Sequence, residues 1–236
     1  PAMHPPQIEQ HNPRYPYHAN VPLFEPSESQ ESYDMILEAY RVSEEFDTPV
    51  LIRMTTSVCH SKSTVELKDR IVPAFKACEK NPMKYIPVPA VAKNLKIKVL
   101  ERAKKLEAYT EKSEFNFAEY YDKKIGFIAS GIAYQHVKEV FGNTASYYKV
   151  GFSHPLPMGE LKKFAAQVEK LYVVEENDPV METELKAAGI HVIGKDLFPS
   201  DGELTPDVIR KTFSGSFLDS IAYDKTTVPP RAPALC

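Results

Sequence analysis

The sequence predicts an α/β protein whose main domain is a three-layer α/β/α sandwich around a mostly parallel sheet. Two observations carry this. Between residues 124 and 215, four short apolar runs alternate with four amphipathic ones, the pattern of strand-helix units. The chain also has 43% hydrophobic and 26% charged residues, close to average globular usage, and its 236 residues are enough for one large domain or two ordinary ones.

The first element lies upstream of that domain. Residues 1 to 26 are rich in proline and read as irregular backbone. "PSESQESYDMILEAYRVSEEFDTPVLIRMTT" follows. Ser27 and Gln30 have capping-box spacing, Tyr33, Ile36, Leu37 and Tyr40 recur at helical steps, and Asp47-Thr48-Pro49 ends the helix. "VLIRMT" then reads as a short buried strand. One helix and one strand cannot bury their apolar faces alone, so they are expected to dock on a preceding piece of sheet.

Residues 63 to 123 read as a connector. Val88, Val91, Leu95, Val99, Ala103 and Leu106 form an apolar stripe at three- and four-residue steps. The opposite face carries Lys93, Lys96, Lys98, Arg102, Lys104 and Lys105 with Glu101 and Glu107 between them, the pattern of a solvated face rather than a phosphate-binding one. "SEFNFAEYYDKK" is aromatic enough to pack against something.

The main domain then runs in order. "KIGFIAS", "SYYKVGF", "KLYVVEEN" and "IHVIGKD" are its strands. "IAYQHVKEVF" is a helix closed by Gly142, and "PMGELKKFAAQV" and "PVMETELKAAG" are helices. "LTPDVIRKTFS" is a helix with Thr205 as cap and Pro206 in its first turn. Ligands of such sheets bind beyond the carboxyl ends of the strands, here Ser130-Gly131, 151 to 154, 175 to 178 and 194 to 196. A lone Gly131 is no dinucleotide fingerprint and reads as a small residue for close helix-sheet packing. His154 reads as a loop histidine satisfied by backbone or water. Glu175, Glu176 and Asp178 read as a magnesium site or, more simply, as a solvated strand end whose charge suits a helix N-terminus. The residues argue for no Ser-His-Asp or Cys-His arrangement.

The net charge of −3 gives no reason to expect nucleic acid, and no apolar run approaches the ~18 residues of a membrane span. Cys59, Cys78 and Cys236 are widely spaced, without a Cys-x-x-Cys, so no disulfide framework or zinc knuckle is indicated. No signal peptide is visible and a cytoplasmic protein is expected. The missing initial Met and the proline-rich ending "TTVPPRAPALC" read as cut ends.

Three stretches together resemble a known family. "LFEPSESQESYDMILEAYRVSEEFDTPVLIRMTTSVCHSK" is similar to the end of the pyrimidine-binding domain of indolepyruvate ferredoxin oxidoreductase alpha subunits, within the 2-oxoacid:ferredoxin oxidoreductases. "KIGFIASGIAYQHVKEVFG" resembles the opening of the next domain of those subunits, and "LYVVEENDPVMETELKAAGI" with "GELTPDVIRK" resembles its remainder. The resemblance covers essentially the whole chain. It implies a transketolase C-terminal-like domain at 124 to 215, a remnant of the pyrimidine-binding domain at 1 to 62, a helical connector at 63 to 123, and a linker at 216 to 236 toward a further domain. In the family a Cys-Pro-Gly-Cys-Pro-His motif follows a run like the one that ends here at Cys236.

The resemblance further implies oxidative decarboxylation of aryl 2-oxoacids such as indolepyruvate, forming acyl-CoA and reduced ferredoxin. Thiamine diphosphate, Mg2+, 4Fe-4S clusters and coenzyme A serve the whole enzyme, whose partners are a beta subunit and ferredoxin in a homo- or hetero-oligomer. No cofactor or metal is expected in this stretch, which is expected to be inactive alone and to serve a structural or dimerising role. "MHPPQIEQHNPR" resembles the family loop "MHSSQNEQDNR": Gln7, Glu9, Gln10 and Asn12 match, while Pro5 and Pro6 replace a serine pair able to hydrogen-bond substrate or cofactor. "MTTSVCHSK" resembles "TTTRxSHSK", carrying over Thr55, Thr56 and His60; His60 either faces the active site or packs structurally. Two other classes stay open. One is a flavodoxin-like module holding a nucleotide or coenzyme A, and the other is a piece that only joins catalytic domains.

Overall fold

The structure is a computed structural model and describes residues 12–75, 77, 79–86 and 88–215. The N-terminal part comprises α1 (Tyr15–Ala19), β1 (Leu23–Phe24), α2 (Ser29–Phe46), β2 (Leu51–Ile52) and α3 (Thr56–His60). The connector contains α4 (Pro82–Tyr85) and α5 (Pro89–Thr110). Then come β3 (Asn116–Glu119), β4 (Ile125–Ser130), α6 (Gly131–Phe141), β5 (Ser146–Val150), β6 (Phe152–His154), α7 (Met158–Ala165), β7 (Lys170–Val174), α8 (Val180–Ala187) and α9 (Pro206–Ser214).

The main sheet has the order β3-β5-β4-β7. β5, β4 and β7 run parallel and β3 is an antiparallel edge. Successive residues of β4 face opposite layers, as strand pleating requires. Phe127 joins a core with Tyr147 and Tyr172 under α6 and α9, where Val137 and Ile209 are fully buried. Ile128 joins a core with Tyr148 and Val173 under α7 and α8, where Leu161, Phe164 and Leu185 are fully buried. Burial on both faces explains why these strands read as continuous apolar runs. The expected three-layer α/β/α fold is therefore the observed one. Thr205 caps α9, accepting a hydrogen bond from the Val208 amide at 3.3 Å.

Several local expectations are corrected. "SYYKVGF" is not one strand: the chain breaks at Gly151, where β5 leaves the main sheet and β6 enters a second sheet of order β2-β1-β6. A Cβ at Gly151 would sit 2.6 Å from the Phe115 carbonyl and 2.8 Å from Met35 Cε, so only glycine lets the two parts approach this closely. Asn116 Oδ1 accepts from the amides of Gly151 and Phe152, both at 2.9 Å, and holds the switch. "IHVIGKD" adds one parallel bridge, Tyr172 to Ile193, rather than a full strand. Residues within 12 to 26, read as irregular, contain α1 and β1. β1 pairs with β2 in parallel and with β6 in antiparallel, so β1 supplies the awaited preceding piece of sheet and joins the N-terminal part to the main domain.

α2 also differs in detail. It starts at Ser29 without a side-chain cap of its own. Ser27 bonds Glu31 instead of Gln30: its amide and hydroxyl donate to the carboxylate at 2.7 and 2.8 Å. The buried face is Met35, Ala39 and Val42, while Ile36, Leu37 and Tyr40 are exposed. A continuous helical run of apolar residues does not say which side faces the core, and β1 and β6 choose it. β2 is an edge, with Leu51 exposed rather than buried. The stripe on α5 does face inward, with Val91 and Leu106 buried, although Val88 at its start is exposed. Phe24, Met35, Leu106, Phe115 and Phe152 form one core that spans the N-terminal part, the connector and the main domain.

Candidate functional site

The carboxyl ends of the strands converge with the N-terminal part on one cleft. Ser130 at the end of β4, Ser153 in β6 and Glu175 after β7 meet Glu25 and Arg53, which follow β1 and β2. Tyr17 of α1 and Leu156 complete the walls. The cleft holds about 30 Å3, room for water but not for a nucleotide or a coenzyme.

Its electrostatics are built from buried groups. Arg53 Nη1 donates to Glu25 in an ion pair whose side chains are 12% and 6% exposed. The other two guanidinium nitrogens, Nε and Nη2, are buried without a partner among the described residues, as is the Ser153 hydroxyl. These are the cleft's uncommitted polar groups. Glu175 Oε2 accepts from the amides of Val180 and Met181 at 3.2 and 2.9 Å, and its Oε1 accepts from the Glu182 amide at 2.9 Å. It thus covers the N-terminus of α8, where the helix dipole favours negative charge. Burial still pushes its carboxyl up to about 7, against the lowering effect of those amides and of Lys195. Lys195 donates to the Glu175 carbonyl at 2.6 Å, and its own burial lowers its pKa.

The helix-N-terminus reading of the Glu175 loop holds; "solvated" holds for Asp178, which is exposed, but not for Glu175, which is buried. Among the described residues no group of three or more His, Cys, Asp and Glu could hold a metal ion. His154 Nδ1 donates to the Val21 carbonyl at 2.8 Å and its ring lies 4.3 Å from that of Tyr17; burial holds its pKa down. It is satisfied by backbone, as expected. Gly131 has φ +53°, and a Cβ there would meet only the Pro26 carbonyl at 3.7 Å. Its glycine serves a left-handed backbone turn, not the close packing expected.

The residues carried over from the family loops are placed as follows. Gln7, Glu9 and Gln10 lie outside the described residues, as do Cys78 and the chain end to Cys236. Thr55 is buried just before α3, its hydroxyl without a hydrogen-bond partner among the described residues. Thr56 is half-buried and His60 is exposed at the far end of α3. None of the three lines the cleft. Sequence reasoning passed over Glu25 and Arg53. The available signal was an arginine inside the apolar run "VLIRMT", where a charge implies a buried partner.

No family model matches the chain. In fold, the chain is similar to a 2-oxoglutarate:ferredoxin oxidoreductase from Magnetococcus marinus, with a TM-score of 0.54 at 12% identity over 83% of this chain and 42% of that one. The class is therefore an α/β architecture shared with 2-oxoacid:ferredoxin oxidoreductases. In sequence, the chain is 35% identical over 255 residues to the indolepyruvate oxidoreductase subunit IorA of Methanothermobacter marburgensis and 33% identical over 264 residues to that of Thermococcus kodakarensis. Each alignment takes in all of this chain and 41% of the relative. The chain belongs to the indolepyruvate oxidoreductase IorA family and spans about two fifths of the length of these curated relatives. No helix among the described residues is long and apolar enough to cross a membrane.

Proposed function

We propose that the chain forms part of an oxidoreductase acting on aryl 2-oxoacids such as indolepyruvate, yielding acyl-CoA and reduced ferredoxin. In this reading residues 1 to 62 belong to a pyrimidine-binding domain, 63 to 123 connect, 124 to 215 are the transketolase C-terminal-like domain, and 216 to 236 lead onward. The carrying observation is similarity to IorA along the entire chain.

Thiamine diphosphate, which in this chemistry supplies the carbanion, does not fit the cleft between Arg53 and Glu175, which is too small for it. No catalytic step is therefore routed through it here. The cofactor, Mg2+, 4Fe-4S clusters, coenzyme A and ferredoxin are assigned to other parts of the assembly, together with a beta subunit. This chain's contribution is positional. Arg53 and Glu25 tie the loop after β2 to the end of β1, which sets where the 55 to 60 segment, with Thr55, Thr56 and His60, stands. Gln7, Glu9 and Gln10 are proposed to face the same active site.

The test is dye reduction dependent on indolepyruvate and coenzyme A. An assembly captured from its native cells through this chain is expected to turn over, and the 236-residue chain alone is not. Calorimetry of the chain alone with thiamine diphosphate and Mg2+ is expected to show binding no tighter than about millimolar, a free energy near −4 kcal/mol. A captured assembly without activity would remove the oxidoreductase reading. Turnover by the chain alone would remove the positional one.

A further inference from the structure

The small sheet turns polar side chains toward the cleft. Its pleat sends Phe24 and Phe152 into the core and their neighbours Glu25 and Ser153 to the opposite face. The parallel register of β1 and β2, with Phe24 opposite Ile52, sets Arg53 beside Glu25. Backbone pairing thus brings the three together, and Leu23 and Leu156 wall them with apolar surface. A guanidinium is a planar fork of five N–H donors. Arg53 commits Nη1 to Glu25. Nε and Nη2 lie along one edge of the fork, the pair that meets both oxygens of a carboxylate side by side. Both are buried without a partner among the described residues, and so is the hydroxyl of Ser153, a residue only 7% exposed. Buried polar groups are ordinarily hydrogen-bonded, so uncommitted donors on one cleft call for a ligand. The cleft's 30 Å3 takes roughly two waters at ~10–15 Å3 each, and the two oxygens of one carboxylate replace them.

We propose that the cleft binds a small free carboxylate, of formate or acetate size, through the Nε–Nη2 edge of Arg53 and the Ser153 hydroxyl. The ligand accepts two hydrogen bonds from Arg53 and one from Ser153, and so ties the loop after β2 to β6. The carboxylates already present are engaged elsewhere. Glu25 is matched by Arg53, and Glu175 accepts from three amides at the start of α8, with Lys195 beside it. The small volume excludes an aromatic acid. Thr55, Thr56 and His60 do not line this cleft, so the site is separate from the segment proposed to face the active site, and it does not depend on the oxidoreductase reading.

Carbon-13 NMR of labelled formate titrated with the 236-residue chain tests this, at a pH below about 7, where the Glu175 carboxyl is largely protonated and repels an anion least. Saturable line broadening is expected, with a Kd on the order of millimolar, the ceiling for a ligand of three heavy atoms. Formate should also raise the thermal midpoint more than chloride at equal ionic strength. Arg53→Lys keeps a cation for Glu25 but has no fork, and Ser153→Ala removes one hydroxyl. Each is expected to weaken formate binding about tenfold. Ser153→Ala changes no charge, so it carries the test if Arg53→Lys does not fold. Absence of saturable binding, as expected if water alone fills the cleft, overturns the proposal. So does binding of chloride or benzoate as tight as that of formate, or formate binding unchanged in both variants.

Discussion

Glu175 shows how one residue's surroundings decide its chemistry. Three amides and a lysine favour its carboxylate, and burial opposes them more strongly, leaving it raised from 4.5 to about 7. A raised carboxyl favours the fold in its protonated form. That contribution is full below pH 4.5 and is lost as pH rises through about 7. Glu175→Gln keeps a neutral group at the same place. Its stability relative to wild type is expected to improve between pH 5 and 7.5, by on the order of 3 kcal/mol at most, and then to level off. Thermal unfolding of both proteins across this range checks it, and a gap independent of pH would contradict it. The Glu25 and Arg53 pair makes a second case. Arg53→Ala leaves the buried Glu25 carboxylate unpaired and is expected to cost about 3–5 kcal/mol in urea unfolding. The double variant Glu25→Gln with Arg53→Met should recover much of that loss. If it is as unstable as Arg53→Ala alone, the pair is not the cause.

At the scale of elements, the turn between β5 and β6 carries the most consequence. One glycine sends the chain from the main sheet into the small one, because the backbone of Phe115 and the end of Met35 occupy the space of a side chain. Gly151→Ala forces those atoms apart and is expected to lower stability by about 1–3 kcal/mol, the range for overpacking in a filled core. For a chain of this length that is on the order of 2–4 °C per kcal/mol in thermal midpoint. An unchanged midpoint would mean that the junction yields more easily than its contacts indicate. Helix ends were legible where capping was local: Thr205, Pro206 and Gly142 stand where their chemistry requires. Ser27 was legible as a helix signal but not in its partner, because Gln30 is drawn to Glu66 and Asp34 while Glu31 turns inward to Ser27 and Lys149.

At the scale of the molecule, the core of Phe24, Met35, Leu106, Phe115 and Phe152 is shared by the N-terminal part, the connector and the main domain. The β1–β6 pairing ties them through backbone as well. Heating should therefore give one cooperative transition, and Phe24→Ala, which empties a fully buried site, should shift that whole transition by about 3–5 kcal/mol. Two resolved transitions, only one of them sensitive to Phe24, would show that the N-terminal part and the main domain unfold separately.

By itself the sequence determined the α/β class, the alternation of β4, α6, β5, α7, β7, α8 and α9, and the inward stripe of α5, since each rests on period, caps and turns that act within a few residues. It also carried the family, through stretches long enough to be specific. Tertiary structure alone decided which face of α2 is buried, that β1 exists, that β6 leaves the main sheet, and that Glu25 and Arg53 meet Ser153 and Glu175. The physical reason is the same in each case. A two-residue strand has too little local pattern to be read, and an apolar helix with residues on both sides has no preferred face until a partner is present. The charge on Arg53 becomes tolerable only beside a carboxylate from another strand, 28 residues away in the chain and brought close by the sheet.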